Sequence, residues 1–177
     1  IAIFIRIFII CLPLKEIRVL FISDLRENIA GNLEFIYNYL GDQYEKVLSF
    51  KKDTRTKRNI KDKIEMVRYL STSKYIFLEE IVQATSYLKV RKGQELIQLW
   101  HAAGAYKRFG HSRESTDLTR IHKGYKKYTK AITSSEAIRP CYAEAFGMDL
   151  EKVQATGSPR TDLFFDEEYK IDKKEEI

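Results

Sequence analysis

The sequence predicts an α/β domain, a Rossmann-like parallel sheet with helices on both faces. Three observations carry that expectation. Short apolar, β-branched runs recur along the 177 residues, segments with helical spacing lie between them, and turn signals such as Lys92-Gly93 mark the joins. Strands that alternate with helices form βαβ units, and their crossovers are right-handed.

The chain opens with IAIFIRIFIICLPL, in which Arg6 is the only charge. A spanning helix needs about 20 apolar residues, so this run is too short to cross a bilayer. No small-residue cleavage site follows before Lys15-Glu16-Ile17-Arg18, which argues against a signal peptide. Residues 1–15 read either as a core element or as a membrane-proximal segment, ended by Pro13; membrane contact is the expectation.

Ile17–Ser23 is a continuous apolar run, as in a strand buried on both faces. Gly31–Leu40 carries apolar residues at 33, 36, 37 and 40, a helical spacing. Lys46–Phe50 is a second strand, followed by a charged stretch over 51–63 and a helix over Ile64–Leu70. Lys74–Leu78 and Leu96–His101 are the third and fourth strands, and Ala131–Ser135 is the fifth. A helix over Arg139–Phe146 leads to a sixth strand, Val153–Gly157. Residues 16–166 thus form the folded lobe, and the charged tail 167–177 is expected to fray.

Composition excludes several classes. With 44% hydrophobic and 32% charged residues, and only 8 Gly and 3 Pro, the chain is neither disordered nor fibrous. Cys11 and Cys141 have no CxxC spacing, so neither a disulfide scaffold nor a zinc site is expected, and a reducing setting is the default. No GxGxxG follows the first strand and no P-loop occurs. No carboxylate cluster suggests a metal, so no cofactor is expected.

In a parallel sheet of this kind, ligands sit outside the carboxyl ends of the strands. The fourth strand runs into Trp100-His101 and then Ala102-Ala103-Gly104-Ala105. Small residues there allow a helix to start close by, with N–H groups forming an anion nest around Gly104. His101 could take a proton from a hydroxyl nucleophile, or could simply satisfy a loop carbonyl. His111 and His122 have no metal-ligand spacing and read as surface residues.

Between Lys107 and Lys130 stand eight basic residues against two acids, an excess equal to the whole chain's net charge of +6. One electropositive face beside the His101 loop is the expectation, suited to a polyanion or an anionic membrane surface. No nucleic-acid-binding motif supports a nucleic acid partner. After the sixth strand, Gly157-Ser158-Pro159-Arg160-Thr161-Asp162 holds Arg160 and Asp162 near the sheet edge, for phosphate contact or as a mutual pair fastening the loop.

Taken together, QLWHAAGAYKRFG, SSEAIRPCYAEAFGM and VQATGSPRTDLFFD resemble the CDP-glycerol glycerophosphotransferase family of teichoic acid synthesis. Ala30-Gly31-Asn32 and the LKVRKGQELIQLWH approach to the histidine are similar to that family too. The resemblance covers roughly residues 17–166 and implies the N-terminal lobe of a two-lobed GT-B fold. It implies transfer of glycerol phosphate or ribitol phosphate from CDP-glycerol or CDP-ribitol, releasing CMP. The acceptor would be the hydroxyl end of a lipid-linked polyol-phosphate polymer, with the enzyme peripheral on the cytoplasmic face of the cell membrane. His101 would be the general base, with Gly104, Lys107, Arg160 and Asp162 on the substrates. Most donor contacts, and a second histidine, belong in such enzymes to a C-terminal lobe that these residues do not resemble, so the chain by itself is expected to be an incomplete enzyme. The common WHG followed by Thr-Pro is replaced here by His101-Ala102-Ala103-Gly104. The competing expectation is a non-catalytic membrane-associated module that grips anionic polymer or lipid.

Overall fold

A computed structural model describes residues 1–51, 55–113, 123–167, 169 and 171. Six strands form one sheet: β1 (Lys15–Ile22), β2 (Glu45–Ser49), β3 (Ser73–Leu78), β4 (Glu95–Gln98), β5 (Lys130–Ile132) and β6 (Val153–Gln154). Their order is β2-β1-β3-β4-β5-β6, and every neighbouring pair is parallel. The helices are α1 (Ala2–Cys11), α2 (Asn32–Tyr39), α3 (Ile60–Thr72) and α4 (Arg139–Phe146).

Alternation along the strands divides the core in two. Leu20, Ile22, Ile76, Leu78 and Leu96 face one side and pack with Ile5 of α1, Met66, Val67 and Leu70 of α3, and Tyr142 and Phe146 of α4. Val19, Phe21 and Ile97 face the other side and pack with Leu33 of α2, where Ile36, Tyr37 and Leu40 join them. Helices therefore cover both faces, as the sequence predicts. Strand order reverses direction at β1, which sets a crevice between the carboxyl ends of β1 and β3.

The amino-terminal run is helical and serves as a core element on one side. Ile5 is fully buried, and Phe8 and Ile9 pack against the core. Ile3, Phe4, Ile7 and Ile10 remain exposed on the other side. No helix among the described residues is long and apolar enough to cross a membrane.

Helix α3 begins four residues earlier than its apolar pattern suggests. The Asn59 side chain accepts the Asp62 N–H at 2.8 Å, so polar capping starts the helix before its apolar face does. Helix α4 matches its predicted span. Pro140 sits in its first turn and Gly147, at φ 61°, ends it in the left-handed region. Strands β4, β5 and β6 each stop three residues short of expectation, and at β4 the turn at Trp100 takes the chain off the sheet. Of the expected tail, residues 168, 170 and 172–177 lie outside the described residues.

Asn59→Ala should lower stability by about 1 kcal/mol, the usual cost of a lost N-cap. Urea unfolding of parent and variant checks this, and an unchanged midpoint would show that tertiary packing alone sets where α3 begins.

Candidate functional site

The site forms where the loops after β1, β3, β4 and β6 meet. At its centre is Glu79, the first residue beyond β3, with its side chain 1% exposed. One carboxylate oxygen accepts the Asn32 backbone N–H at 2.7 Å, at the amino terminus of α2, and the other pairs with Arg26 at 3.0 Å. A helix amino terminus and a guanidinium both favour a negative charge there. Burial is nonetheless the largest influence and raises the Glu79 carboxyl above the ordinary carboxylate range.

Gly31 makes this approach feasible. Its φ of 65° with ψ of −145° is a conformation that side-chain-bearing residues avoid. A Cβ there would also lie 2.9 Å from the Arg26 guanidinium and 3.0 Å from both Glu79 carboxylate oxygens.

Asn32 joins two more loops to this centre. Its amide donates to the Trp100 carbonyl at 2.9 Å, and its side-chain oxygen accepts from the Ser158 hydroxyl and the Arg160 N–H, both at 3.0 Å. Trp100 has φ 57°, the left-handed region, in a bulky residue. Gln98 accepts its N–H at 2.9 Å, and its ring stacks on His101 and on Phe109 with centroids 4.4 and 4.6 Å away. The backbone twist at Trp100 ends β4 and swings His101 onto the carboxyl edge.

The His101 ring is held by its Nδ1, 3.0 Å from the Glu79 carbonyl oxygen. A carbonyl only accepts, so in the neutral ring Nδ1 carries the hydrogen and Nε2 carries the lone pair. The side chain thus satisfies a loop carbonyl, the structural one of the two roles the sequence suggests. His101 is exposed at the edge.

Of the other predicted site residues, Arg160 comes to His101 and the rest do not. Arg160 donates through its guanidinium to the His101 carbonyl at 2.8 Å. It forms no pair with Asp162, which is exposed and borders a separate cavity of about 260 Å³ with Phe35, Tyr39 and Ser158. The expected helix after His101 does not form, because residues 101–109 run irregularly to a short turn at Gly110–Ser112. Gly104 sits half-buried under the Tyr106 ring, and Ser134 donates to the Ala103 carbonyl. Tyr142 donates to the Ala102 carbonyl at 2.7 Å, and burial pushes its phenol up to about 12. Lys107 is exposed on this segment, and no ion pair holds it among the described residues.

The basic stretch is not one face. Lys107 and Arg108 follow β4 at the carboxyl edge, whereas Lys126 and Lys127 precede β5 at the opposite edge. There they line a cavity of about 400 Å³ with Lys89 and Lys152. Residues 114–122, including Arg120 and His122, lie outside the described residues. His111 is half-buried against Tyr125 and Gly147 rather than on the surface.

Glu79 and Arg26 are the residues that the sequence alone did not single out, and Asn32 stood out only within the Ala30-Gly31-Asn32 resemblance, with no role assigned. A carboxylate pair directly after an apolar strand, Leu78-Glu79-Glu80, was the available signal.

A family model described as CDP-glycerol:poly(glycerophosphate) glycerophosphotransferase matches residues 4–177. The teichoic acid poly(ribitol-phosphate) polymerase of Bacillus spizizenii is 41% identical over 171 residues, covering 94% of this chain and 28% of that protein. The teichoic acid ribitol-phosphate polymerase TarL of Staphylococcus aureus is 39% identical over 166 residues, covering 90% and 30%. The solved wall teichoic acid polymerase TagF superposes with a TM-score of 0.74 at 17% identity, over 93% of this chain and 44% of that one. That likeness shows the fold: the parallel sheet and its helices form one lobe of a GT-B architecture. The chain spans about a third or less of the curated relatives named here.

Two outcomes test the Glu79 centre. Gly31→Ala should cost about 1–3 kcal/mol in urea unfolding, from backbone strain and the crowded carboxylate. A loss near zero would mean that the loop relaxes freely. The second outcome follows from the raised Glu79 carboxyl, which adds stability where it is protonated and loses that contribution as pH rises through its folded value. The stability advantage of parent over Glu79→Gln should therefore shrink as pH rises above the ordinary carboxylate range. An advantage that grows with pH would show Arg26 and α2 outweighing burial.

Proposed function

The chain belongs to the CDP-glycerol:poly(glycerophosphate) glycerophosphotransferase family, and on that premise we propose that it is the acceptor-side lobe of an alditol-phosphate transferase. The observation that carries this reading is the Nδ1 contact of His101 with the Glu79 carbonyl, which reserves Nε2 as a base at the sheet's carboxyl edge. An acceptor hydroxyl gives its proton to Nε2 as its oxygen attacks the β-phosphorus of a CDP-alditol. The new O–P bond forms as the bond to CMP breaks. Phosphoryl transfer of this kind depends mainly on positioning and on stabilising charge. Lys107 and the segment around Gly104 supply the acceptor-side contacts, Arg160 adds positive charge beside His101, and Asp162 meets substrate from the neighbouring cavity.

Ribitol phosphate is the favoured group to be transferred. Identity to the ribitol-phosphate polymerases is 38–41%, against 21–32% to the glycerol-phosphate primases. The donor is then CDP-ribitol, and the acceptor is a lipid-linked polyol-phosphate polymer. Residues 16–166 are the catalytic lobe, residues 167–177 begin the connection to a donor lobe, and residues 1–15 lie next to the membrane. The protein works peripherally on the cytoplasmic face. The exposed apolar side of α1 supports the membrane part of this reading.

The test is a chimera in which residues 4–177 replace the matching segment of the Bacillus spizizenii polymerase. It should release CMP from CDP-ribitol, which would show that this lobe supports the transfer. His101→Ala in that chimera should cut turnover by about 10²–10⁴, the usual range for a general base, without shifting the unfolding midpoint. A near-parental rate would make the histidine structural. An inactive chimera that still binds anionic polymer would favour a non-catalytic gripping module.

A further inference from the structure

A cavity of about 340 Å³ opens beside the site and has no part in the chemistry above. Lys51, Lys57, Arg58 and Lys63 line it, together with Gln83 and Tyr87. Its size falls in the range of small-ligand sites. Arg58 is 9% exposed and forms its fixed wall, donating to the carbonyls of Ser23, Ser49 and Phe50 at 2.7, 2.8 and 2.9 Å. Asp24 is the only carboxylate in the lining among the described residues, and the Arg58 guanidinium engages it at 2.9 Å. Lys57 and Lys63 have no ion-pair partner among the described residues. The cavity thus presents the positive charges of Lys57 and Lys63 beside a rigid wall.

It connects to the catalytic edge through the backbone. The Asp24 N–H donates to the Glu80 carboxylate at 2.9 Å, and Glu80 is the neighbour of the residue that orients His101. On its other side lies a second cavity of about 270 Å³, lined by Phe4, Ile60, Ile64 and Val67. The two cavities share Ile1 and Lys63. A basic pocket continuous with an apolar one suits a molecule with an anionic head and a hydrocarbon tail.

We propose that these paired cavities seat an anionic phospholipid of the bilayer, its phosphate among Lys57, Lys63 and Arg58 and its chain along α1 and α3. The inference rests on the membrane-face reading given above. It assigns the contact to the α1–α3 surface instead of the stretch at 107–130. Docking there would hold the carboxyl edge, and His101 with it, close to the plane in which a lipid-linked acceptor lies.

The experiment is co-sedimentation of this 177-residue chain with vesicles of phosphatidylcholine alone or with one-third phosphatidylglycerol, at low and high salt. The parent should bind the anionic vesicles, and high salt should weaken that binding. Lys57→Glu with Lys63→Glu should reduce it by about tenfold or more. Phe4→Glu should reduce it as well. Lys126→Glu with Lys127→Glu, at the opposite edge, should bind as the parent does. Soluble glycerol 3-phosphate at millimolar concentration should compete poorly, because it lacks the tail. Lys57→Gln with Lys63→Gln, checked by unfolding midpoint, separates charge loss from misfolding and should fall between parent and reversal. A parent that ignores anionic vesicles overturns both the membrane reading and this site. A parent that binds, with the Lys57 and Lys63 variants binding equally, overturns the site alone. Full competition by glycerol 3-phosphate would also overturn it, by making the pocket a soluble-phosphate site.

Discussion

The buried carboxylate of Glu79 is the constraint on which the rest of the site depends. It meets a helix amino terminus through Asn32 and a cation through Arg26, while its own carbonyl orients His101. One residue thus fixes the loop after β1, the start of α2 and the histidine. A buried charge is costly unless it is paired and hydrogen-bonded, and losing either partner leaves the cost uncompensated. That is why Gly31 must lack a Cβ and why Asn32 must be where it is. Asn32 in turn reaches Trp100 and the Ser158–Arg160 turn, so four loops share one arrangement.

Much of this fold was legible in the sequence. All six strands and the parallel doubly wound plan follow from apolar runs alternating with helical spacing, and α4 was readable to the residue because Pro140 and Gly147 punctuate it. Strand ends were less legible. Apolar residues continue past Gln98, yet the backbone leaves the ladder, and nothing in the composition of Leu99-Trp100-His101 announces a positive φ. The start of α3 was hidden for the opposite reason, since Lys61, Asp62 and Lys63 are polar and the capping bond is local geometry rather than pattern.

The candidate site divides in the same way. His101 and Arg160 stand in distinctive local motifs, and the fold brings them together. Glu79 and Asn32 act across 47 residues of chain, and Asn32 and Trp100 across 68, a relation that one sequence does not display. The basic stretch shows the converse error. Lys107 and Lys127 are near in sequence, but a parallel strand order sends the segments before and after a strand to opposite edges. Charge counted along the chain overstated a patch that the topology splits, and it overlooked the cluster that Lys51, Lys57, Arg58 and Lys63 make from a separate segment.

The strain at Trp100 fits this picture. A bulky residue in the left-handed region costs roughly 1–3 kcal/mol and persists only where its surroundings over-determine it. Here Gln98 holds the N–H, Asn32 holds the carbonyl, and Phe109 and His101 both stack on the ring. An unstrained, extended Trp100 would carry the strand onward, and His101 would then point along the sheet instead of folding back to the Glu79 carbonyl. The twist therefore sets both the position and the tautomer of the histidine. The proposed base needs one fixed and one free nitrogen, and the strain is offset by the same contacts that bind the loops together.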